Sequence, residues 1–323
     1  MIAITGGGTG GHLVIAKAIK EELNKRGIKP IFIGSTYGQD KAWFENDEGW
    51  QEKYFFDTSG VVNKRGLNKL ASLGNILKHT VKTREIFKKH KITKVFSVGG
   101  YSAAPASFRA ILFNKEYFIH EQNAYIGRLN KLLKPFAKRV FSTFFSNDPY
   151  PVREEFFTKA RVREEIKTII FLGGSQGAKQ INDFAFEVAK TKKYKIIHQT
   201  GSRDYERCKN FYEKNNLDVE FFDFDKNLID KISKADFAIS RAGASTLFEL
   251  VSNQLPALFI PYPYAAGNHQ YYNAKWLVDK KCGFLSKEPK LSDLDIDISG
   301  ISQKLKEINH PNGAKSIVDE ILG

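Results

Sequence analysis

Short hydrophobic segments alternate with longer helical patterns along the whole chain, and this alternation constrains the fold more than any other feature. In the first half, β-branched and aromatic runs typical of strands occur at 2–5, 31–34, 94–98, 117–120 and 139–143. The second half repeats the scheme at 168–174, 195–199, 219–222, 236–240 and 256–260. Strands separated by helices form parallel sheets through right-handed crossovers. The sequence therefore predicts an α/β protein with two Rossmann-like, doubly wound parallel sheets in tandem.

A proline-containing segment separates the two halves. In "SNDPYPVREEF" (146–156) two prolines interrupt the alternation, and the residue before a proline disfavours helix. We expect an N-terminal domain over 1–150 and a C-terminal domain over 151–312, with a final helix at about 313–323 rejoining the first domain. Doubly wound sheets bind ligands beyond the carboxyl ends of their strands, so we expect the site in a cleft between the two domains.

Composition and charge limit the class of protein. No apolar run approaches the ~20 residues that span a bilayer, and Met1 leads directly into a strand rather than a signal peptide. Cys208 and Cys282 lack metal-ligand spacing and are too few for a disulfide framework. We therefore expect a globular protein of the cytoplasm. Its 50 Lys and Arg against 36 Asp and Glu, a formal charge of +14, favour an anionic partner such as nucleic acid, phospholipid or a phosphorylated substrate.

Three glycine-containing loops follow predicted strands and precede helices. The first, "AITGGGTGGHL", contains Gly6, Gly8 and Gly11 at G-x-G-x-x-G spacing. The others are "VGGYSAAP" (98–105) and "FLGGSQGAKQIN" (171–182). Such loops let backbone N–H groups and a helix N-terminus approach a phosphate, so we expect the first loop to close on a diphosphate. A nicotinamide site would need an acid at the end of the second strand, which instead ends in Gly34 and Ser35.

Polar residues gather at other predicted strand ends. "HEQN" (120–123) follows one strand, and "PYPYAAGNHQYYNA" (261–274) precedes a helix. In "SRAGASTLFEL" (240–250), Glu249 fits either a carboxylate that accepts two ribose hydroxyls or an exposed acid at a helix start. "DFD" (223–225) matches the Asp-x-Asp of some metal-dependent transferases, a pattern short enough to arise by chance. Of the seven histidines, His12 and His120 are placed for chemistry.

Taken together and in order, the motifs resemble one enzyme family. "GGGTGGH", "GGYSAAP", "HEQNA", "PVR", "GGSQGA", "HQTG", "SRAGAST…E" and "NHQYYNA" are similar to the motifs of the MurG family. These are undecaprenyl-pyrophosphoryl-muramoyl-pentapeptide N-acetylglucosaminyltransferases of glycosyltransferase family 28. The resemblance covers essentially the whole chain and implies the GT-B fold, with two Rossmann-like domains facing a cleft.

The resemblance also implies an activity and its residues. GlcNAc would pass from UDP-GlcNAc to the 4-hydroxyl of the muramoyl sugar of lipid I with inversion, giving lipid II for peptidoglycan and the cell wall. The acceptor would bind Gly99, Gly100, Tyr101 and Asn123 on the N-terminal domain. The donor would bind Thr9, Gly10, Gly11, Asn123, Arg153, Ser175, Gln176, Asp225, Ala244, Ser245, Thr246, Glu249 and Gln270.

For the chemistry we expect His12 to remove the acceptor proton, since histidine ordinarily titrates near neutrality, with Glu121 as the second candidate. The helix after Gly177, with Ser175 and Arg153, would stabilise the departing UDP. This arrangement needs no metal and no cofactor besides the substrates. One departure from the family is that Ala103 and Ala104 precede Pro105, where the family usually has Ser-Gly.

A basic, leucine-containing stretch points to a membrane surface. Between Val61 and Lys94 ten Lys or Arg face a single acid, Glu85. In one alternative, an amphipathic helix packs its leucines in the protein core and exposes its lysines to solvent. In the other, this stretch binds the anionic inner membrane from the cytoplasmic face, beside other cell-wall synthesis proteins. Replacing Lys64, Arg65 and Lys69 with Glu would then weaken vesicle binding.

Three other functions remain. A UDP-GlcNAc 2-epimerase shares the architecture and is the main alternative, although the paired "GGTGGH" and "GGSQGA" loops argue against it. A nicotinamide oxidoreductase lacks the ribose-binding acid. A nucleic-acid binder is suggested by charge alone, so we expect none.

Overall fold

Two compact units make up the chain. The computed structural model describes residues 1–60, 66–225 and 227–323, with the backbone but not the side chains of 66–69. Within these residues, one unit consists of Met1–Pro151 together with Asn312–Gly323, and the other of Val152–Pro311. Each unit contains a parallel six-stranded sheet with helices between its strands. The predicted fold class, two doubly wound α/β domains, is confirmed.

The first unit alternates strands and helices from its first residues onward. Its elements are β1 (Ile2–Thr5), α1 (Gly10–Lys25), β2 (Ile31–Ser35), α2 (Asp40–Phe44), β3 (Glu52–Phe56), α3 (Gly66–Lys89), β4 (Lys94–Ser97), α4 (Ala104–Leu112), β5 (Glu116–His120), α5 (Arg128–Leu133), β6 (Arg139–Phe141) and α6 (Thr143–Ser146). The strand order is β3-β2-β1-β4-β5-β6. The order reverses between β1 and β4, so their carboxyl ends form the switch point where such sheets bind ligands.

The second unit repeats this plan. Its elements are α7 (Glu154–Thr158), β7 (Thr168–Leu172), α8 (Lys179–Lys190), β8 (Lys195–Gln199), α9 (Tyr205–Lys214), β9 (Glu220–Phe222), α10 (Leu228–Ile232), β10 (Phe237–Ser240), α11 (Ala244–Ser252), β11 (Ala257–Phe259), α12 (His269–Asp279), β12 (Phe284–Leu285) and α13 (Ile301–Leu305). The strand order is β12-β11-β10-β7-β8-β9. Its switch point lies between β7 and β10, the counterparts of β1 and β4.

The chain then returns to the first unit through α14 (Gly313–Leu322). This helix packs against α1, where the Arg26 guanidinium lies 2.7 Å from the Asp319 carboxylate. The ammonium of Lys94, at the start of β4, donates to the carbonyl of Ile321 at 2.6 Å. These contacts attach the last helix to the sheet of the first unit.

The central strands are apolar because both faces of each sheet are covered. Ala3 pairs with Ile31 on one side and with Val95 on the other, and all three are fully buried. They pack in one cluster with Ile86 of α3 and Ala106 of α4. Continuous apolar runs are the expected signature of such strands.

The sequence prediction missed β3 and β12, each at one edge of its sheet. Every residue of β3 is half-buried, and its sequence "EKYFF" begins with two charged residues that leave a short apolar run. β12 has only two residues. The strand predicted at 139–143 ends at Phe141, and the one predicted at 168–174 ends at Leu172, where glycines turn the chain toward α8.

Candidate functional site

The first glycine loop, Gly6–Gly11, connects β1 to α1. The φ angles of Gly6, Gly7 and Gly8 are +115°, +154° and +84°, a region that favours glycine. Their N–H groups donate within the protein, to Ile33 O at 3.4 Å, Gly99 O at 3.1 Å and the Asp40 carboxylate, respectively. The expectation that the whole loop closes on a diphosphate is therefore wrong for these three amides. The amides of Gly10 and Gly11 lie in the first turn of α1, where a helix supplies no acceptor of its own.

Close packing against the loop Gly99–Tyr101 explains the glycines instead. The loop Gly99–Tyr101 follows β4, and a Cβ on Gly100 would lie 2.3 Å from the carbonyl oxygen of Gly7. A Cβ on Gly8 would lie 2.9 Å from the ring of Tyr101. The structure thus brings the residues predicted for the acceptor directly against the loop that leads to His12.

His12 occupies the first turn of α1 and is half-buried. Its Nδ1 lies 2.8 Å from Oγ1 of Thr9, the N-cap residue of the helix. A neutral imidazole has one N–H donor and one acceptor nitrogen. The contact with Thr9 therefore orients the imidazole at the start of α1, and an oriented imidazole suits a general base.

Glu121, the second candidate for the base, has a different environment. Its side chain is buried, and Oε1 accepts from the Asn123 amide at 3.1 Å. Oε2 accepts from the Gly127 amide and the Asn130 side chain, both at 2.9 Å. Burial raises the pKa of Glu121, and these donors oppose the rise. Since both oxygens are engaged, Glu121 organises the loop that carries Asn123, and the geometry favours His12 as the base.

His120 is a packed core residue. It is buried at the end of β5, and its ring meets the ring of Tyr150 edge-on at 5.8 Å. Burial lowers the pKa of His120 to about 4, so the imidazole is neutral at physiological pH. Its position in the sequence motif therefore reflects packing rather than chemistry.

The second glycine loop, Gly173–Gly177, connects β7 to α8 in the other unit. Ser175 and Gln176 at its tip are exposed. The Ser175 carbonyl accepts from the Ser202 amide at 3.0 Å. A Cβ on Gly201 would lie 2.0 Å from the Gly177 nitrogen, so this loop packs against the "HQTG" segment. Its tip presents two polar side chains just before a helix N-terminus, the arrangement predicted for a diphosphate.

Glu249 and Arg153 interact electrostatically in the second unit. Glu249 is the sixth residue of α11 and is half-buried, which excludes the exposed first-turn acid that the sequence left open. Burial raises the pKa of Glu249 to about 7, and the positive charge of Arg153 opposes that rise. The exposed guanidinium of Arg153 stacks over Phe156 at 5.4 Å. The residues predicted beside them, Ala244, Ser245 and Thr246, form the first turn of α11.

Gln270 lies at a cavity of about 780 Å³ next to the second glycine loop. Its Oε1 accepts from the Tyr262 amide at 2.9 Å, which fixes the side chain. The cavity is lined by Gly173, Gly177, Lys179, Arg241, Tyr262 and Gln270, among others. It joins two motifs that lie almost 100 positions apart in the sequence.

Arg241 is a cavity residue that the sequence analysis did not select. Its guanidinium donates to the carbonyls of Ile260 at 2.8 Å and Pro261 at 3.1 Å, and burial lowers its pKa. These bonds hold the chain that leads from β11 to Gln270. The sequence could have indicated Arg241, since it is the second residue of the "SRAGAST" motif.

Asp225 caps its own turn after β9. Its Oδ1 accepts from the Asn227 amide at 2.7 Å, and Oδ1 of Asp223 accepts from the Phe224 amide at 2.7 Å. The ring of Phe224 is 54% exposed. Within the described ranges, no group of three or more His, Cys, Asp or Glu side chains could hold a metal ion.

One face of α3 exposes an apolar stripe, which we define as Leu70, Leu73, Leu77 and Val81. Their exposed fractions are 65%, 42%, 66% and 69%. The alternative in which the leucines pack in the core is therefore wrong for Leu70, Leu73 and Leu77, although Ile76 is buried. Of the cations selected from the sequence, Lys64, Arg65 and the side chain of Lys69 lie outside the described residues. In the described part of the chain, no helix has the length and apolarity that crossing a membrane requires.

Comparisons with known proteins show which family the sequence matches. Residues 2–142 match the N-terminal domain model of glycosyltransferase family 28, and residues 168–317 match its C-terminal domain model. A protein of a Nitratiruptor species is 53% identical over 99% of this chain and 98% of its own length. It is named UDP-N-acetylglucosamine--N-acetylmuramyl-(pentapeptide) pyrophosphoryl-undecaprenol N-acetylglucosamine transferase.

Solved structures support the same two-domain architecture, that of the GT-B fold. Acinetobacter baumannii MurG superposes with a TM-score of 0.82 at 27% identity, covering 100% of this chain and 98% of that chain. The UDP-GlcNAc 2-epimerase of Neisseria meningitidis, solved with UDP-GlcNAc, gives a TM-score of 0.62 at 14% identity over 100% of both chains. At that identity the likeness shows the fold alone, so the epimerase alternative is less supported.

Proposed function

The chain belongs to glycosyltransferase family 28, and on that premise we propose that it transfers GlcNAc from UDP-GlcNAc to the 4-hydroxyl of the muramoyl sugar of lipid I, yielding lipid II and UDP. The observation that carries this proposal is 53% identity with a transferase of that name along 99% of the chain. The resemblance to the MurG family is thereby confirmed, and the protein is a hexosyltransferase.

The second unit supplies a site for the donor nucleotide. Ser175 and Gln176, with the N-terminus of α8, suit the diphosphate, because exposed polar groups and a helix dipole favour an anion. Glu249 suits the ribose hydroxyls, with Arg153 supplying positive charge beside it. The first turn of α11 and Asp225 complete the nucleotide contacts, and Gln270 faces the sugar.

The first unit supplies the base and the acceptor contacts. The Thr9 hydroxyl orients the imidazole of His12, which takes the proton of the acceptor hydroxyl. The amides of Gly10 and Gly11 approach the sugars, because N–H groups in the first turn of α1 have no acceptor within the helix. Gly99, Gly100, Tyr101 and Asn123 contact the acceptor from the adjoining loops.

The transfer is a single displacement. The acceptor oxygen attacks C1 of GlcNAc while its proton passes to the imidazole of His12. The bond between C1 and the phosphate oxygen breaks, and UDP leaves with the electron pair, so the configuration at C1 inverts. Arg153, Ser175 and the N-terminus of α8 compensate the charge that develops on the diphosphate. The proposed mechanism uses no metal.

The α3 apolar stripe supports a peripheral position on the cytoplasmic face of the inner membrane, where the lipid acceptor resides. Exposed Lys78, Lys82, Arg84 and Lys88 lie on the same helix. An apolar stripe bordered by cations suits an anionic lipid surface. Other cell-wall synthesis proteins are the expected neighbours there.

UDP release tests the proposal. We expect release from UDP-GlcNAc to depend on a lipid I analogue, and the product to be a disaccharide lipid. We expect His12→Ala to lower kcat by about 10²- to 10⁴-fold, the usual contribution of a general base, without weakening UDP binding. His310→Ala, at an exposed histidine, is the control.

Two results would contradict the proposal. Conversion of UDP-GlcNAc to UDP-ManNAc without acceptor, or its hydrolysis by water to UDP and ManNAc, would establish the epimerase. Full activity of His12→Ala would assign the base elsewhere.

A further inference from the structure

Asp40 is a fully buried carboxylate at the edge of the first glycine loop. It is the first residue of α2 and has no exposed surface. The sequence analysis did not select it, because a single acid before a helix normally serves as a solvated first-turn residue. Its burial therefore needs a physical explanation.

The two carboxylate oxygens connect two different segments of the chain. Oδ1 accepts from the N–H of Gly8 in the first glycine loop. Oδ2 accepts from the N–H of Ser35 at 2.9 Å, at the end of β2. Burial raises the pKa of Asp40, and these two amides oppose the rise. The carboxylate thus anchors the glycine loop to the carboxyl end of the sheet.

The neighbouring glycines provide the space that this carboxylate needs. A Cβ on Gly7 would lie 2.4 Å from Oδ1 of Asp40, and a Cβ on Gly34 would lie 2.5 Å from the ring of Phe32 and 2.9 Å from Oδ2 of Asp40. Part of the glycine content of both strand ends is therefore explained by Asp40 rather than by a ligand. This is a second reason why the loop amides from Gly6 to Gly8 are not a phosphate cradle.

A short route leads from Asp40 to the proposed base. Gly8, which Asp40 holds, immediately precedes Thr9, and the Thr9 hydroxyl lies 2.8 Å from Nδ1 of His12. Asp40 fixes the backbone at one end of this segment, and Thr9 fixes the imidazole at the other. Movement at Gly8 would carry Thr9 and His12 with it.

We infer that Asp40 is a positioning residue for transfer, holding the first glycine loop so that the imidazole of His12 meets the acceptor hydroxyl. The inference rests on the proposed function, since Asp40 acts through the proposed base. Asp40 has no exposed surface and is not assigned a contact with either substrate. Its effect should therefore appear in kcat rather than in donor affinity.

The test substitutes Asp40→Asn in the full chain. Asparagine keeps the shape but replaces one acceptor oxygen by an NH₂ group, so either Gly8 or Ser35 loses its acceptor. The matched control is Asp47→Asn. Asp47 also accepts from a glycine amide, that of Gly49 at 2.9 Å, and pairs with Lys20.

Both variants are made in the native chain and in His12→Ala. The measurements are kcat and KM by UDP release, Kd for UDP by calorimetry, and the melting temperature. We expect Asp40→Asn to lower kcat about 10- to 100-fold, the usual effect of a small misplacement of a catalytic group, with Kd unchanged. In the His12→Ala background we expect little further loss, because residues that act as a unit are not additive.

Each other outcome contradicts a separate statement. A kcat for Asp40→Asn equal to that of Asp47→Asn overturns the inference. Losses that multiply in the double variant show that Asp40 acts independently of His12, which also overturns it. Full activity of His12→Ala overturns the proposed base instead. If Asp40→Asn fails to fold, Asp40→Glu, which keeps both acceptor oxygens one methylene further out, should show the same loss of kcat confined to the native His12 background.

Discussion

The hydroxyl of Thr9 lies 2.8 Å from Nδ1 of His12, one helical turn further along the chain. The contact arises because Thr9 is the N-cap of α1 and its side chain turns toward the first turn. It holds the imidazole ring in one orientation at the start of the helix.

Thr9→Val tests this contact. Valine keeps the shape but cannot hydrogen-bond to Nδ1, so we expect kcat to fall about tenfold, a fraction of the full contribution of a general base. Thr9→Ser retains the hydroxyl and should restore most of the rate. Steady-state kinetics with both substrates varied would check this. A change confined to KM for UDP-GlcNAc would instead mean that Thr9 binds the donor sugar.

The raised pKa of Glu249 predicts a pH dependence of donor binding. Ribose hydroxyls donate to the ionised carboxylate, and burial places that ionisation at about pH 7. Affinity for UDP-GlcNAc should therefore fall as the pH drops below about 7, by up to about tenfold per pH unit for one required ionisation. Calorimetry with UDP-GlcNAc is preferable to UDP, because a terminal phosphate titrates near pH 6. Glu249→Gln should bind weakly at every pH, and an unchanged pH profile in that variant would contradict the assignment.

Glu249 also predicts how the stability of the unliganded protein depends on pH. Because the folded-state pKa is raised, the folded protein holds this proton more tightly than the unfolded chain does. Its stabilising contribution is complete below the ordinary pKa of a glutamate and is lost as the pH rises through about 7. The free energies of unfolding of the protein and of Glu249→Gln, measured with denaturant, should therefore diverge between the ordinary glutamate pKa and about pH 7. Parallel curves would show that Glu249 titrates normally.

Two glycine substitutions should have opposite effects on stability. Gly100 has a φ of +80°, and an added Cβ would meet the Gly7 carbonyl oxygen at 2.3 Å, so Gly100→Ala should cost at least about 1–3 kcal/mol. Gly74 lies within α3 with open space at its Cβ, so Gly74→Ala should stabilise by about 0.5–1 kcal/mol. Urea unfolding measures both. A neutral Gly100→Ala would contradict the close packing of the two loops.

Substitution within the α3 apolar stripe tests membrane binding. Leu77→Ser and Val81→Ser together should weaken partitioning onto anionic vesicles at least about tenfold, since each side chain contributes about 1.5–3 kcal/mol when buried. Leu291→Ser, at a leucine of the second unit that is 44% exposed, is the control. Co-sedimentation with vesicles of anionic and of neutral lipid measures the change. Equal binding by all three proteins would exclude the stripe.

Local sequence determined the architecture. Apolar runs such as "IAIT" and "TIIFLGG" mark strands buried on both faces. Because these strands alternate regularly with helices, they pair in parallel sheets. The edge strand β3 escaped prediction, because its five half-buried residues begin with two charged side chains and leave only a short apolar run. The motif order also identified the family, since many short motifs in one order are far more specific than any of them alone.

The use of each polar group was decided by tertiary structure alone. The sequence predicts that the glycines of the first loop bind a phosphate. In the structure the Gly7 amide donates to the Gly99 carbonyl and the Gly8 amide donates to the Asp40 carboxylate. Gly8 and Asp40 are 32 positions apart in the sequence. Glu121 read as a possible base, yet its oxygens are occupied by donors from its own loop. Hydrogen-bond partners and burial depend on distances between remote segments. The sequence specifies which groups a residue carries, and only the folded chain specifies which of them remain available to a substrate.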